Sequence, residues 1–494
     1  MLLTDLYRQV QAFSGPSARP LPRVVAGLEI GGIATDSRRV QPRDLFVAVP
    51  GSLTDGRDFI AEAVRRGAAA VLAPAGTVWP DNTPPRPLLT DPEPRRLMAV
   101  MAGVLAGPRP EIVAAITGTN GKTSSVEFLR QFWTAAGYRA ASLGTLGLIA
   151  PGHPPGPGLT TPDPVSLAHT LSGLARDGIQ RVAMEASSHG LDQYRLDGVR
   201  LAAAGFTNLT RDHLDYHVTM ASYRAAKLRL IGALLPQRSP VVAHADMDPM
   251  TLEAIRGAAL ARRHMFHTVG LTGTLFRLLS AMPVPDGQDL VVMAGDRRHE
   301  VRLNLPGRFQ ADNVLVAAGL ASLLGVDNVL SLMPRLTGVR GRMELAARPP
   351  NGAAAYVDYA HTPDALEQLL TALRPHTAGK LHIVFGAGGD RDRGKRPLMG
   401  EAAARLADRV IVTDDNPRGE APEAIRAAVL AGCPDAAEIG DRTAAIAAAL
   451  NDLGPGDVLV VAGKGHEQGQ TIAGIVHPFD DADVIRGLVE GRTG

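Results

Sequence analysis

The sequence predicts an α/β protein with mostly parallel sheets and roughly three domains. Three observations carry that expectation. Apolar runs rich in Val, Ile and Ala alternate with longer segments of helical periodicity, the pattern of parallel strands covered by helices. At 494 residues the chain is too long for one hydrophobic core, and a typical domain of about 150 residues gives roughly three. A strand, a glycine-bounded loop and a helix follow one another over 112–136, the order that a phosphate-binding loop needs.

The first domain, 1–94, is expected to hold strands at 31–36, 44–50 and 69–73 and a helix near 59–66, and to end in the proline-studded stretch 74–94. The second, 95–338, opens with a helix at 95–106, followed by the strand 112–117, the loop and a helix at 124–136. Further strands are expected at 181–185, 202–207 and 240–243, and 151–158, almost all Pro and Gly, reads as a surface loop. The uncharged apolar stretch 314–326 is too short to span a bilayer and reads as a buried helix. The third domain, 339–494, carries strands at 355–357, 382–385, 410–413 and 458–461, with helices in the gaps.

With 45% apolar residues, 20% charged residues and a net charge of +1, the composition is globular and has no basic excess for nucleic acid or an anionic membrane surface. Neither a nucleic-acid partner nor membrane insertion is expected, and the expected state is a monomer. The single cysteine, Cys433, excludes an intrachain disulfide and fits a reducing compartment. Residues 1–8 carry Asp5 and no basic region ahead of an apolar stretch, so they do not read as a secretion signal and a cytoplasmic protein is expected.

Only five of the 51 basic residues are lysines, which matters because arginine can supply charge almost anywhere while a compact ammonium or free amine needs lysine. Lys122 closes the loop Thr117-Gly118-Thr119-Asn120-Gly121-Lys122-Thr123. In such a loop backbone N–H groups and the following helix cradle phosphates, the lysine reaches the terminal phosphates, and the Thr hydroxyl binds magnesium. The bland alternative is an ordinary strand-to-helix turn, and Ile116 stands where the general pattern has a glycine. Glu185 opens Glu185-Ala186-Ser187-Ser188-His189-Gly190-Leu191, and His213 lies in Thr207-Asn208-Leu209-Thr210-Arg211-Asp212-His213-Leu214-Asp215. Both runs just follow predicted strands, where sites gather in open α/β sheets, so Glu185 and His213 become candidate metal ligands. Lys227 reads by spacing alone as a solvent-facing helical lysine, and its retention among arginines points instead to amine chemistry.

Taken together, TGTNGKT from Thr117, Thr160-Thr161-Pro162-Asp163, EASSHGL from Glu185, FTNLTRDHLD from Phe206 and YRAAK ending at Lys227 resemble the ATP-dependent Mur ligases of peptidoglycan synthesis. VDYAHTPDAL from Val357, GAGGDRDRGKRP from Gly386, DDNPR from Asp414 and GKGHE from Gly463 resemble the members that add the third residue of the stem peptide. The resemblance covers essentially the whole chain. It implies an N-terminal domain for the uridine nucleotide, a central P-loop-type ATPase and a C-terminal Rossmann-like domain that carries the amino-acid site. By the match, Thr35, Ser37 and the Ser52-Leu53-Thr54 turn meet the UDP end of UDP-N-acetylmuramoyl dipeptide, while Thr160, Thr161, Ser187, Gln193 and Arg195 meet its sugar and peptide portion. ATP is matched to Gly118, Thr119, Asn120, Gly121, Lys122, Thr123 and Ser124, with Asn313, Arg342, Asp358 and His361. Lys227 matches the family's carbamylated lysine, which would hold Mg2+ beside Thr123, Glu185 and His213. Leu159 and Gln310 depart from the family, each standing where asparagine is common.

The implied chemistry is phosphorylation of the D-glutamyl carboxylate by ATP and attack of an amine on the acyl phosphate, with Lys122, Glu185, His213 and Lys227 as the catalytic set. Meso-diaminopimelate is the expected acceptor: Arg418 offers a planar fork to its distal carboxylate, Asp415 and Glu467 accept from the distal ammonium, and Arg391 takes the near carboxylate. Asn416, Pro417 and Gly463 complete that set, and Asn-Pro in DDNPR also reads as a turn, which is compatible. The rival readings are a lysine-adding Mur ligase, a folylpolyglutamate-type ligase, a P-loop kinase that forms no amide, and a nucleotide-gated binding protein.

Overall fold

The computed structural model describes residues 1–14, 27–51, 54–154, 156 and 158–491, and the chain divides into two compact units, Met1–Thr268 with Leu320–Val326 and Val269–Gly319 with Asp327–Gly494.

The first unit begins with four parallel strands in spatial order, Gly32–Ala34, Asp44–Val47, Ala70–Pro74 and Leu88–Asp91. On one face the helices Leu3–Ser14 and Pro94–Leu105 bury Leu3, Leu6, Val10, Leu97 and Met101 against Leu45, Val47 and Leu72. The helix Ile60–Arg65 covers the other face. Within the proline-studded stretch 74–94, Leu88–Asp91 is a strand that the sequence expectations do not include. Between Pro87 and Pro92, four proline-free residues add an edge strand to Ala70–Pro74.

The unit's second sheet runs Pro240–His244, Ala203–Phe206, Ile112–Thr117, Arg181–Glu185, Ala140–Gly144, Gly147–Ile149, all parallel except the closing hairpin. Ala140–Gly144 is absent from the sequence expectations because Ala-Ala-Ser-Leu-Gly has no β-branched residue, and its parallel partner Arg181–Glu185 decides its state instead. Ile112–Thr117 lies inside the sheet, with Ile116 level with Glu185 and Thr117 level with Phe206. That register brings three post-strand loops side by side at one sheet edge. The helix Lys122–Ala135 buries Val126, Phe128, Leu129, Phe132 and Trp133. Opposite in sequence style, the helix Pro164–Arg176 opens with Asp163 Oδ1 accepting from Val165 N and Ser166 N, with Pro164 preset for the first turn.

The second unit contains an antiparallel ribbon, Phe276–Val284, Gly287–Ala294 and Arg297–Leu303. The sequence reading missed it, although Asp286-Gly287 and Gly295-Asp296 are hairpin turn signals. The buried helix expected at 314–326 is Arg308–Leu323. A six-stranded sheet follows in the order Glu344–Ala347, Ala354–Asp358, Val458–Ala462, Leu381–Phe385, Arg409–Val412, Ala437–Glu438, parallel except for its first strand. Leu366, Leu370, Met399 and Val429 cover one face, and Ala445, Ile446, Ile485 and Val489 the other, giving the three layers of a Rossmann-like domain. Cys433 is free and buried under this sheet's helices, where burial pushes its thiol up to about 11. Among the described residues no helix is long and apolar enough to cross a membrane.

Candidate functional site

The candidate phosphate loop, 117–123, turns on two glycines at positive φ. Gly121 takes φ 79° to start the helix Lys122–Ala135, and Gly118, at φ 150°, faces Thr207 so closely that a Cβ would collide with its Oγ1. Residues after Phe206 pin the loop: Asn208 Oδ1 accepts from Asn120 N at 2.9 Å and Thr207 Oγ1 donates to Asn120 O at 2.6 Å. Thr119 Oγ1 lies 3.1 Å from Tyr223 Oη and accepts from Thr210 N at 2.9 Å.

Two ammonium groups converge on one carbonyl at this loop. Lys122 Nζ donates to Gly118 O at 2.9 Å and to Thr119 O at 2.7 Å, and Lys227 Nζ donates to Gly118 O at 2.7 Å. Lys227 is 1% exposed, so the solvent-facing alternative for it is overturned. Burial, reinforced by the Lys122 charge, pushes the Lys227 amine well below the usual lysine range. Glu185, also 1% exposed, accepts from Thr145 N at 2.7 Å and Thr145 Oγ1 at 3.2 Å. His213 is partly exposed, stands edge-on to His189 at 5.0 Å, and burial lowers its pKa while Asp212 opposes the shift. Its ring lies 6.0 Å from that of Tyr223, whose hydroxyl meets Thr119 of the loop.

The residues matched to the nucleotide-peptide's sugar and peptide form one hydrogen-bonded chain. Thr145 Oγ1 meets Thr160 Oγ1 at 3.0 Å, and Thr161 Oγ1 donates to Glu185 O and accepts from Ser187 N, both at 3.1 Å. Arg195 donates to Thr161 O and to Gln193 Oε1, both at 2.7 Å. Leu159 is 64% exposed beside them. Ser37 Oγ donates to Glu62 Oε2 at 2.7 Å, whereas Thr35 and Thr54 are exposed; Ser52 and Leu53 lie outside the described residues.

In the second unit, Asp358 accepts from Met343 N and Ala360 N, and the Arg342 guanidinium lies 4.6 Å from the Tyr359 ring. His361 Nδ1 meets Tyr359 O at 2.8 Å, its own carbonyl accepts from Lys395 Nζ at 2.8 Å, and Gln310 Nε2 donates to Arg342 O at 3.3 Å. Asn313, buried, lies on the helix Arg308–Leu323.

A second cluster sits at the carboxyl ends of Arg409–Val412 and Val458–Ala462. Lys464, fully buried, donates to Asn416 Oδ1 at 3.2 Å and Glu467 Oε2 at 3.4 Å and lies 3.9 Å from Asp415 Oδ1. Asn416 Nδ2 donates to Asp415 Oδ1 at 3.0 Å and Glu467 Oε2 at 2.9 Å. Arg418 holds a left-handed backbone, φ 53°, because its N–H and C=O pair with Thr471 O and Ala473 N, and its Nη1 donates to Gly389 O at 2.8 Å. A Cβ on Gly388 would come within 2.7 Å of Arg418 Nη1 and 3.8 Å of Arg391 Cγ, so these two arginines flank the same glycine turn. Gly463, at φ 114°, passes so near Asp415 that a Cβ would lie 2.9 Å from its Oδ2. Pro417 O lies against Gly389.

Three family descriptions match successive regions: the Mur ligase family catalytic domain over 29–106, the Mur ligase middle domain over 116–321, and the Mur ligase glutamate ligase domain over 341–465. A UDP-N-acetylmuramoyl-L-alanyl-D-glutamate–2,6-diaminopimelate ligase of Caulobacter vibrioides is 53% identical over 470 residues, 94% of this chain and 96% of that protein. The chain belongs to the Mur ligase family. A solved structure of a UDP-N-acetylmuramoyl-L-alanyl-D-glutamate–2,6-diaminopimelate ligase superposes with a TM-score of 0.71 at 32% identity, covering 94% of this chain and 96% of that one. The MurF ligase of Thermotoga maritima, solved with ADP, shares the fold alone, at a TM-score of 0.59 and 18% identity over 94% and 99% of the two chains.

This Mur ligase therefore has the family's three-domain fold. Sequence reasoning missed Thr145, Tyr223, Thr207 and Asn208 as parts of the phosphate-loop region, and Gln470, whose Nε2 donates to Asp415 O at 2.8 Å. Thr207 and Asn208 were within a quoted motif and could have been found there. Thr145 and Gln470 carry no sequence signal, since only strand register brings them to their partners.

Proposed function

We propose that this Mur ligase joins meso-2,6-diaminopimelate to the D-glutamyl carboxylate of UDP-N-acetylmuramoyl-L-alanyl-D-glutamate, consuming ATP, in the cytoplasm and as a monomer, with domains at 1–94, 95–338 and 339–494. The observation that carries the reading is the hydrogen-bonded set Asp415, Asn416, Lys464 and Glu467 with Arg418 beside it, a cluster with both signs of charge that we read as an amino-acid pocket, in a chain that also has the candidate phosphate loop. A kinase or nucleotide-gated binder needs no such pocket.

Magnesium fits the donors present. Thr123, Glu185 and a carbamylated Lys227 offer hard oxygens with His213 as a nitrogen donor, and the buried, depressed amine of Lys227 is the state that can take up carbon dioxide. Bound there, the ion would neutralise charge on the transferring phosphoryl group. Lys122 and the loop N–H groups would hold the same phosphates while the γ-phosphoryl passes from ATP to the D-glutamyl carboxylate, releasing ADP and leaving an acyl phosphate whose phosphate can depart. The acceptor amine then displaces phosphate and an amide remains. Arg418 and Arg391 pair with the acceptor's carboxylates, while Asp415 and Glu467 receive its distal ammonium. Arg195, Thr160, Thr161, Ser187 and Gln193 orient the sugar and peptide, and Thr35, Ser37 and the 52–54 turn the uridine end.

An ADP-release assay with UDP-N-acetylmuramoyl dipeptide and a panel of amino acids tests this. ADP release and a lengthened peptide should require diaminopimelate; identical ADP release with or without it sinks the reading.

A further inference from the structure

The face of the Lys227 helix that points away from the phosphate loop is held by a separate set of charges. Arg229 follows Lys227 by two residues, so their side chains leave the helix Met220–Arg229 on opposing sides. Arg229 Nη2 lies 3.2 Å from Asp197 Oδ1 and 3.4 Å from Oδ2, its Nη1 donates to Leu191 O, and its guanidinium lies 4.3 Å from the Tyr194 ring centroid. The Asp197 side chain is 4% exposed and also lies 3.5 Å from Arg96 Nε, on the helix Pro94–Leu105. Tyr194, at φ 60°, donates to Glu93 Oε1 at 3.1 Å.

This set has no slack. A Cβ on Gly198 would collide with Ala99 O, and one on Gly103 with Gly198 O, so the segment carrying Asp197 is clamped to the helix Pro94–Leu105. Beyond Arg229 the helix changes to a π-type turn, Leu230–Leu234, so the α-helical pattern ends right after the arginine. Burial pushes the Asp197 carboxyl up to about 6 although Arg229 and Arg96 pull the other way, so its charge depends on those partners.

We propose that Arg229, seated on Asp197 and Tyr194, is a positioning residue that sets the rotation of the helix so that the Lys227 side chain stays on Gly118. The proposal rests on the reading of Lys227 as the modified lysine and adds what keeps it in place.

The test is Arg229→Met in the native chain and in Lys227→Ala, each with and without formate or acetate. In the native chain kcat should fall by at least about tenfold with each KM changed by less than about threefold, and Arg229→Lys should recover part of the loss. In the Lys227→Ala background the same substitution should cost less than about threefold, because the side chain it positions is gone. An equal loss in both backgrounds, or no loss in the native chain, overturns the proposal. If the acids fail to raise the Lys227→Ala rate, the carbamate reading falls by itself, and the paired comparison on the residual rate still decides Arg229.

Discussion

Lys227 combines two conditions that rarely meet in one lysine: it is 1% exposed, and the Lys122 ammonium shares its hydrogen-bond acceptor, Gly118 O. Lys227→Ala is expected to lower kcat by about a hundredfold or more, with partial recovery in short carboxylic acids whose oxygens replace the carbamate. A folded variant that no acid restores would remove the carbamate from the mechanism. Arg418 is the matching test for the acceptor. Lysine lacks the distal carboxylate and would leave the rest of the Arg418 fork, beyond its bond to Gly389 O, without a carboxylate partner, a loss of about 1–3 kcal/mol, so Arg418→Met should erase most of the preference for diaminopimelate in kcat/KM. Competition between the two amino acids reads this directly. These residues were legible because lysine is scarce here and because Asp, Asn and Arg gather in one short run after a strand. Thr145 was not, since a threonine beyond a strand has no signature until the neighbouring strand brings Glu185 to it.

The phosphate loop depends on backbone that only glycine allows. Gly118→Ala would strain φ 150° and press a methyl into Thr207, costing about 1–3 kcal/mol locally, so ATP affinity should fall by at least about tenfold while the melting temperature drops by only a few degrees. Calorimetric titration with ADP checks it. In the second unit, His376 joins the ribbon to the start of the helix Arg308–Leu323: its Nδ1–H donates to Val284 O at 2.8 Å and its Nε2 accepts from Gly307 N at 2.9 Å. The bond from Gly307 needs the neutral ring, and burial lowers its pKa although the bond to Val284 O works the other way. The unfolded chain therefore binds more protons below about pH 6.5, and stability should fall as pH drops through that value. The urea midpoint should decline less between about pH 7.5 and about pH 5.5 in His376→Gln than in the native chain. Strands such as Ile112–Thr117 and Val458–Ala462 were legible as dense apolar runs, whereas Leu88–Asp91 and Ala140–Gly144 form because a neighbour's edge is available.

Across the whole chain, the alternation of strands and helices carries the α/β class and the motif order the family, whereas half-exposed strands such as Gly287–Ala294 in the antiparallel ribbon form no long apolar run. The chain's sole thiol, on Cys433, lies 2% exposed beneath helices and hydrogen-bonds Val429 O at 3.5 Å. Maleimides and Ellman's reagent should pass the native enzyme by and modify one equivalent only in denaturant, which absorbance titration reads. The protein is in effect a blank slate for site-specific dye labelling: a cysteine introduced on each unit would carry the only reactive handles, and fluorescence transfer between them could follow turnover without first deleting a native residue.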